Sequence, residues 1–334
     1  MNPAVRGRLA GWYYRWDAWQ APDAVLRRSP AQAWCHQRAW DRLAVLGYHG
    51  VEDAAVFEAH LDLLQRSFSP VPLSQVEEAL HGGRPLPPHS VLITFDDGDH
   101  TVHSRALPLL AARGIPAVCF VIADLVGTDT PFWWDEVEQL VRQGGRTRRV
   151  PPAPPEITVH TLKLLPEYER RLALEELRAT SALAPPRQRQ LTAVELRELE
   201  EGGITVGNHT LTHPCLDRCD DGQVRTEVLE AHERLTGLLG HAPTAFAYPN
   251  GNSDDRAHHL LSRAGYRSAF LYNHRLAVPG RRHPLRIDRL VVSTRTSVDR
   301  LETILSGLHP ALFRAGRGAA RTLAHAGQLL GNRS

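Results

Sequence analysis

The run Val91-Leu92-Ile93-Thr94-Phe95 ends abruptly in Asp96-Asp97-Gly98-Asp99, and no other stretch restricts the fold as much. An uninterrupted apolar run of this kind reads as a strand buried on both faces, which belongs in a parallel sheet covered by helices. Carboxylates at the C-terminal end of such a strand stand where α/β folds keep their chemistry. Neighbouring side chains on a strand point to opposite faces, but at its end both can turn into one cleft. Asp-Asp-Gly is equally good turn chemistry, so the rest of the chain has to decide between a turn and a site.

Strands and helices alternate on both sides of this run. Leu43-Ala44-Val45-Leu46-Gly47-Tyr48-His49 is a first strand ending in a histidine, and a helix is expected from Val56 to Ser67. Ser74-Gln75-Val76-Glu77 has the form of a capping box opening a helix to Leu80. After Asp99 the pattern predicts a helix over 103–113 and a strand over 117–122. Further strands are expected at 204–208, 244–248, 268–272 and 285–292, with helices over 223–239 and 254–264. Thr192-Ala193-Val194-Glu195 reads as a second capping box. About seven strands in βα order predict a distorted (β/α) barrel with its site at the strands' C-terminal ends.

Three segments stand outside that pattern. Residues 1–42 carry Trp12, Trp16, Trp19, Trp34 and Trp40 among arginines, which reads as an aromatic, basic extension packed over the barrel or meeting a membrane surface. Residues 144–190, with the stiff Val150-Pro151-Pro152-Ala153-Pro154-Pro155 and a charged helix over 167–179, read as an insertion covering one side of the cleft. Residues 297–334 form a basic helical tail with Arg314, Arg317 and Arg321. The catalytic domain is expected over 43–296.

Composition excludes more than it assigns. With 39 Lys and Arg against 37 Asp and Glu, no overall field recruits nucleic acid. No stretch approaches the roughly 18 to 20 apolar residues of a membrane span, and no signal-peptide core is visible, so a cytoplasmic protein with reduced cysteines is the expectation, peripheral to the inner membrane at most. Cys215 and Cys219 flank a loop where a local disulfide or an extra metal ligand is the alternative.

Asn208-His209-Thr210-Leu211-Thr212-His213-Pro214 also follows a strand, so its histidines should reach the rim that holds Asp96 and Asp97. Two histidines four apart on a helical turn face the same way, and with one carboxylate they make a three-ligand set for a divalent metal that leaves positions open. Zinc is the first candidate, with nickel, cobalt, iron or manganese accepted by the same donors.

Together, Thr94-Phe95-Asp96-Asp97-Gly98 and His209-Thr210-Leu211-Thr212-His213-Pro214 resemble the first two motifs of the polysaccharide deacetylase family, carbohydrate esterase family 4, over about Leu46 to Val292. The resemblance implies Asp96 as catalytic base and Asp97, His209 and His213 as metal ligands. Ala245-Phe246-Ala247-Tyr248-Pro249-Asn250-Gly251 is similar to the third motif of the branch acting on bacterial exopolysaccharides, which implies that the Tyr248 backbone N–H stabilises the oxyanion. The arginine usual in that motif is missing; Arg286 in Pro284-Leu285-Arg286-Ile287-Asp288 matches a later motif whose arginine orients the base. The usual C-terminal Leu-x-x-His is also absent, and Leu46-Gly47-Tyr48-His49 matches the early motif that supplies the general acid in this branch, which implies His49. Trp133, Trp134 and Asn250 are candidates for contacting the sugar.

The implied activity is metal-dependent hydrolysis of the acetamide of an N-acetyl amino sugar in a saccharide or glycoconjugate. The alternatives are deacylation of a non-sugar amide or an O-acetyl ester, and a catalytically silent glycan-binding homologue.

Overall fold

The computed structural model describes residues 23–184, 187–280 and 283–316. Two short helices, α1 (Asp23–Arg27) and α2 (Pro30–Arg38), precede β1 (Leu43–Tyr48). Next come α3 (Ala54–Ser67), the two-residue β2 (Ser69–Pro70), α4 (Leu73–Leu80) and β3 (Ser90–Phe95). A widened π-helical turn at Val102–Ala106 runs into α5 (Leu107–Ala111) and then β4 (Ala117–Val121). An excursion of three helices follows: α6 (Trp133–Arg142), α7 (Pro155–Leu162) and α8 (Glu167–Thr180). The chain then returns through α9 (Ala193–Glu201), β5 (Ile204–Asn208), α10 (Asp221–Leu239), β6 (Ala245–Ala247), α11 (Asp255–Arg263), β7 (Ser268–Phe270), β8 (Leu290–Val291) and α12 (Val298–Leu305).

The strands form one parallel sheet in the order β7-β6-β5-β4-β3-β1-β8, with β2 added beside β3. Ile287 bridges Phe270 of β7 just before the chain enters β8 beside β1, so the segment 287–291 links the first strand of that order to the last. This is the distorted barrel expected from the sequence. The 285–292 strand is shorter than its composition suggests, with only Leu290–Val291 in regular pairing.

Alternation along the strands builds two cores. Leu43, Val45, Leu92, Val118, Phe120, Ala245, Ala247 and Phe270 fill the barrel interior. Ala44, Leu46, Tyr48, Ile93, Phe95, Cys119 and Val206 face the surrounding helices. Both faces are therefore buried, which is why β3 carries an apolar run instead of an alternating one. Truncating one of the leucines or Ile93 to Ala costs about 2–5 kcal/mol.

Local signals held unevenly. Thr192 and Glu195 form the reciprocal capping box expected at α9. The box expected at Ser74 does not exist: α4 starts two residues earlier, with Pro72 at its cap and no side-chain bond. Pro72 has no N–H to satisfy, and Ser74 lies inside the helix. The helix after Asp99 is present but widened over Val102–Ala106.

Parallel register brings the strand ends together. Tyr48 pairs with Phe95, and the Asp96 N–H donates to the Tyr48 carbonyl at 2.9 Å. Val121 pairs with Asn208, and the His209 N–H donates to the Val121 carbonyl at 3.0 Å. His49, Asp96 and His209 thus leave β1, β3 and β5 at one rim of the sheet.

The three-helix excursion has its own small core of Trp133, Val137, Leu140, Val150, Val159, Leu162, Ala173, Leu174 and Leu177. It begins at Trp133, before the 144–190 segment marked out by composition. At the other end of the chain, the buried Asp23–Arg300 pair (2.8 Å) ties α1 to α12. Trp12, Trp16 and Trp19, and Arg317 and Arg321, lie outside the described residues, while Trp34 and Trp40 are exposed.

Candidate metal centre and catalytic site

Asp96 keeps the inward parity of Leu92 and Thr94, whereas Asp97 leaves the strand with φ at 70° and Gly98 follows at 77°. The turn and the site expected as alternatives are therefore the same structure. The Asp97 carboxylate meets both histidines: its Oδ1 is 3.3 Å from His209 Nε2 and 3.3 Å from His213 Nε2. All three residues are buried, and their ligand atoms lie within 4.8 Å of one another.

The two histidines do not share a helical turn as their spacing suggested. Thr210 (φ 69°) and His213 (φ 60°) are left-handed, and the loop between them folds back on itself. Glu227 of α10 holds it, accepting from the N–H of Leu211 (3.0 Å) and of Thr212 (2.8 Å) and from Thr212 Oγ1 (2.6 Å). Thr210 Oγ1 accepts from the His213 N–H at 3.0 Å. Arg171 of α8 reaches Glu227 at 3.3 Å, so the excursion braces the same loop.

Donor chemistry tests whether a metal fits. The Ala247 carbonyl lies 2.8 Å from His209 Nδ1 and can only accept, so Nδ1 carries the proton and Nε2 faces Asp97. Burial pushes the His213 imidazole down to about 3, so it is neutral. Two imidazole nitrogens thus converge on one carboxylate oxygen, and Asp97 Oδ1 and His213 Nδ1 have no hydrogen-bond partner among the described residues. Burial opposes ionisation of Asp97, yet the neighbouring histidines hold it well below the usual carboxylate range. Against burial, the Asp96 and Asp97 carboxylates pull His209 upward. A divalent cation between Asp97, His209 and His213 makes every one of these contacts attractive, so the donor set fits.

Asp96 is engaged from its other side by an arginine the sequence reading did not select. Arg289, fully buried, donates from Nη1 to Oδ1 (2.6 Å) and from Nη2 to Oδ2 (2.7 Å) in a two-pronged pair. Its remaining donors reach Thr94 Oγ1 (3.0 Å) and the Leu271 carbonyl (2.7 Å). Burial raises the Asp96 pKa, but Arg289 and His209 outweigh it and keep the carboxylate ionised.

Arg286 does not orient the base. It points outward and pairs with the exposed Asp255 of α11. Ile287 faces the barrel interior and Arg289, two residues on, shares its side; that parity was the available signal. Asp288 accepts from the Asn273 amide.

Tyr248 is corrected as well. Its N–H continues the β6–β7 ladder, donating to Phe270 O at 3.0 Å, and its hydroxyl donates to Leu285 O at 3.2 Å. Neither donor is available to a reacting group. Pro249 has no N–H, and the next one along is that of Asn250, at φ 54°.

His49 stands half-exposed at the mouth, with Nε2 3.9 Å from Asp97 Oδ2 and its ring edge-on to Tyr272. Trp133 is buried in the core of the excursion and its indole N–H donates to His213 O at 3.3 Å, so it packs the loop. Trp134 lies with its ring 4.7 Å from that of His213 and stacks on Phe132.

Asn250 Oδ1 accepts from Lys163 Nζ at 2.9 Å, and its amide donates to Cys215 Sγ at 3.3 Å. Lys163, which follows α7 and lies over the rings of Trp133 and Trp134, escaped the sequence reading because nothing local marks it. Nearby Asp135 is pushed up to about 6, first by burial and then by the charges of Glu138 and Asp97. All four cysteines are free, and neither Cys215 nor Cys219 joins the ligand cluster.

Comparison with known proteins bears on the family and the fold. The family model described as polysaccharide deacetylase matches residues 83–148 and 152–269, more than half of the chain. The chain is 29% identical over 216 residues to the poly-beta-1,6-N-acetyl-D-glucosamine N-deacetylase of Escherichia coli (strain K12), a match covering 55% of this chain and 31% of that relative. The deacetylase PplD of Streptococcus pyogenes, solved in complex with acetate, superposes with a TM-score of 0.56 at 17% identity, covering 80% of this chain and 99% of that one. IcaB from Ammonifex degensii gives 0.55 at 22% identity, covering 80% and 97%. The structures speak for the fold, and the sequence match for the family. A parallel barrel with Asp96, Asp97, His209 and His213 at its rim, matched over more than half its length, belongs to the polysaccharide deacetylase family.

Proposed function

We propose that this chain hydrolyses the acetamide of an N-acetyl amino sugar within a saccharide, using a divalent ion, most simply zinc, held by Asp97, His209 and His213. The observation that carries the reading is the division of labour between adjacent carboxylates: Asp97 faces two histidines, and Asp96 faces a guanidinium. A bound divalent ion supplies Lewis-acid polarisation and lowers the pKa of water in its shell.

The protein's own groups divide the remaining work. Asp96 accepts the proton of the attacking water, with the Arg289 fork fixing the orientation of its two oxygens. The Asn250 N–H, on a rim residue whose side chain is held by Lys163 and Cys215, donates to the developing oxyanion. His49, open to solvent on the opposite side of Asp97, delivers a proton to the departing amine. Trp134 and Lys163 border the space where the sugar ring lies, which fits a substrate with an apolar ring face and many hydroxyl acceptors.

Acetate release from N-acetylglucosamine oligosaccharides tests the proposal. Dialysis against a chelator should abolish release and zinc should restore it, and Asp96→Asn should retain metal while losing turnover. Full activity in the chelated protein, or undiminished turnover in Asp96→Asn, refutes the assignment.

A further inference from the structure

A second group of ligating side chains lies outside the site described above. His100 and His103, three apart on the helical segment that follows β3, face Glu195 and Glu198, three apart on α9. His100 Nε2 lies 3.2 Å from Glu195 Oε1, and His103 Nδ1 lies 3.7 Å from the same oxygen. His103 Nε2 lies 2.6 Å from Glu198 Oε2. One ligand atom each of His100, His103 and Glu195 falls within 4.8 Å of the others.

We propose that His100, His103 and Glu195 form a second divalent-metal site, with water completing the shell and Glu198 accepting from His103 Nε2 so that Nδ1 faces the ion. Zinc bonds to imidazole nitrogen and carboxylate oxygen are about 2.1 Å, which makes the edge of a tetrahedron about 3.4 Å. The spacings of 3.2 and 3.7 Å bracket that edge.

Glu195 is built for monodentate ligation. Its Oε2 is occupied by the α9 cap, accepting from the Thr192 N–H (2.8 Å) and hydroxyl (3.0 Å), which leaves Oε1 to face the histidines. Arg189 also reaches Oε1, at 2.6 Å, but its side chain is 63% exposed and swings away at little cost. The carboxylate is nearly buried and both imidazoles are about three-quarters covered, so a bound ion is shielded from competing water. The π-helical turn at Val102–Ala106 widens the helix where His103 must turn toward α9, and such widened turns are frequent at functional sites.

The position gives the site a structural task. The helical segment carrying His100 and His103 follows the strand end that bears Asp97, and α9 leads into β5, which ends one residue before His209. An ion here fastens together the two elements that supply the catalytic ligands.

Metal stoichiometry of the full chain tests this. After chelation and equilibrium dialysis against micromolar zinc, the wild-type chain should hold two equivalents. His213→Ala, which breaks only the catalytic set, should hold one, and zinc should still raise its Tm. His103→Gln, which keeps a hydrogen bond to Glu198, should lose one equivalent while its metal-free Tm matches that of the wild type. A single equivalent in the wild type, or no loss in His103→Gln, overturns the proposal. So does a His213→Ala chain whose Tm is indifferent to zinc.

Discussion

The bidentate pair between Arg289 and Asp96 makes the sharpest demand on this reading. Replacing Arg289 with Leu removes every charged donor from a carboxylate that is 5% exposed and leaves Thr94 Oγ1 and the Leu271 carbonyl without their partner. Breaking one side of a buried pair of this kind costs about 3–5 kcal/mol. The pH dependence has a definite sign. Asp96 in the folded chain titrates below its unfolded value of about 3.9, so its pairing stabilises the fold above that pH and the benefit is lost as pH falls through the folded pKa. Without Arg289, burial pushes the carboxyl upward. The stability deficit should therefore be largest near neutrality and shrink on acidification, and the acid limb of kcat/KM should move to higher pH. Urea unfolding at pH 5 and pH 8, with the pH profile of deacetylation, measures both; Arg289→Lys, which keeps the charge but not the fork, serves if the Leu variant does not fold. Arg286→Leu is the control, because its partner Asp255 is 89% exposed and such pairs contribute about 0–1 kcal/mol. An acid limb moved by Arg286→Leu and untouched by Arg289→Leu refutes the assignment.

Three further outcomes follow from the same geometry. His49→Gln should lower kcat by about 10²–10⁴-fold while zinc stoichiometry stays at the wild-type value, and an unchanged kcat removes His49 from the chemistry. Glu227→Ala frees the backbone of the His209–His213 loop and should weaken zinc at the catalytic site by about 10–100-fold in a competition titration with a chelating dye; unchanged affinity shows that the loop holds its shape without it. Lys163→Met keeps the stem over Trp133 and Trp134 but removes the bond to Asn250, so KM for oligosaccharide should rise with metal affinity intact, and equal KM values dismiss a role at the rim.

What could be read from the sequence was what lies close together along the chain. The buried strand before Asp96 and the histidine pair after Asn208 were legible because apolar runs and their polar ends sit within a few residues of each other. Motif position points to Arg286 and strand parity to Arg289, and parity prevails: Ile287 faces inward and so does Arg289, while Arg286 turns to Asp255. Tyr248 failed for a different reason. Whether a backbone N–H is free depends on how far β6 and β7 stay paired, and the strand sequences do not reveal where a ladder ends. Lys163 and the pairing of His100 and His103 with Glu195 and Glu198 are contacts between distant segments, invisible until the excursion and α9 are placed.

The least legible property of the site is its backbone. Asp97, Thr210, His213 and Asn250 all hold left-handed φ values without being glycine, a conformation costing of order 1–3 kcal/mol each. A local reading would place glycine or a shorter loop at such positions, because nothing in Asp-Asp-Gly or His-Thr-Leu-Thr-His rewards the strained form. The compensation comes from elsewhere. Glu227 satisfies two N–H groups of the histidine loop, Asn208 Oδ1 accepts from the Thr210 N–H at 2.7 Å, and Lys163 and Cys215 grip the Asn250 side chain. Strain sits on Asp97 and His213 of the ligand cluster and on Thr210 and Asn250 beside it, and the bonds that sustain it come from α10, β5 and the segment after α7. A relaxed backbone at these four positions would turn Asp97 and the two imidazoles away from one another, so the strain is the means by which parallel strand ends, which diverge by nature, are made to converge on one point.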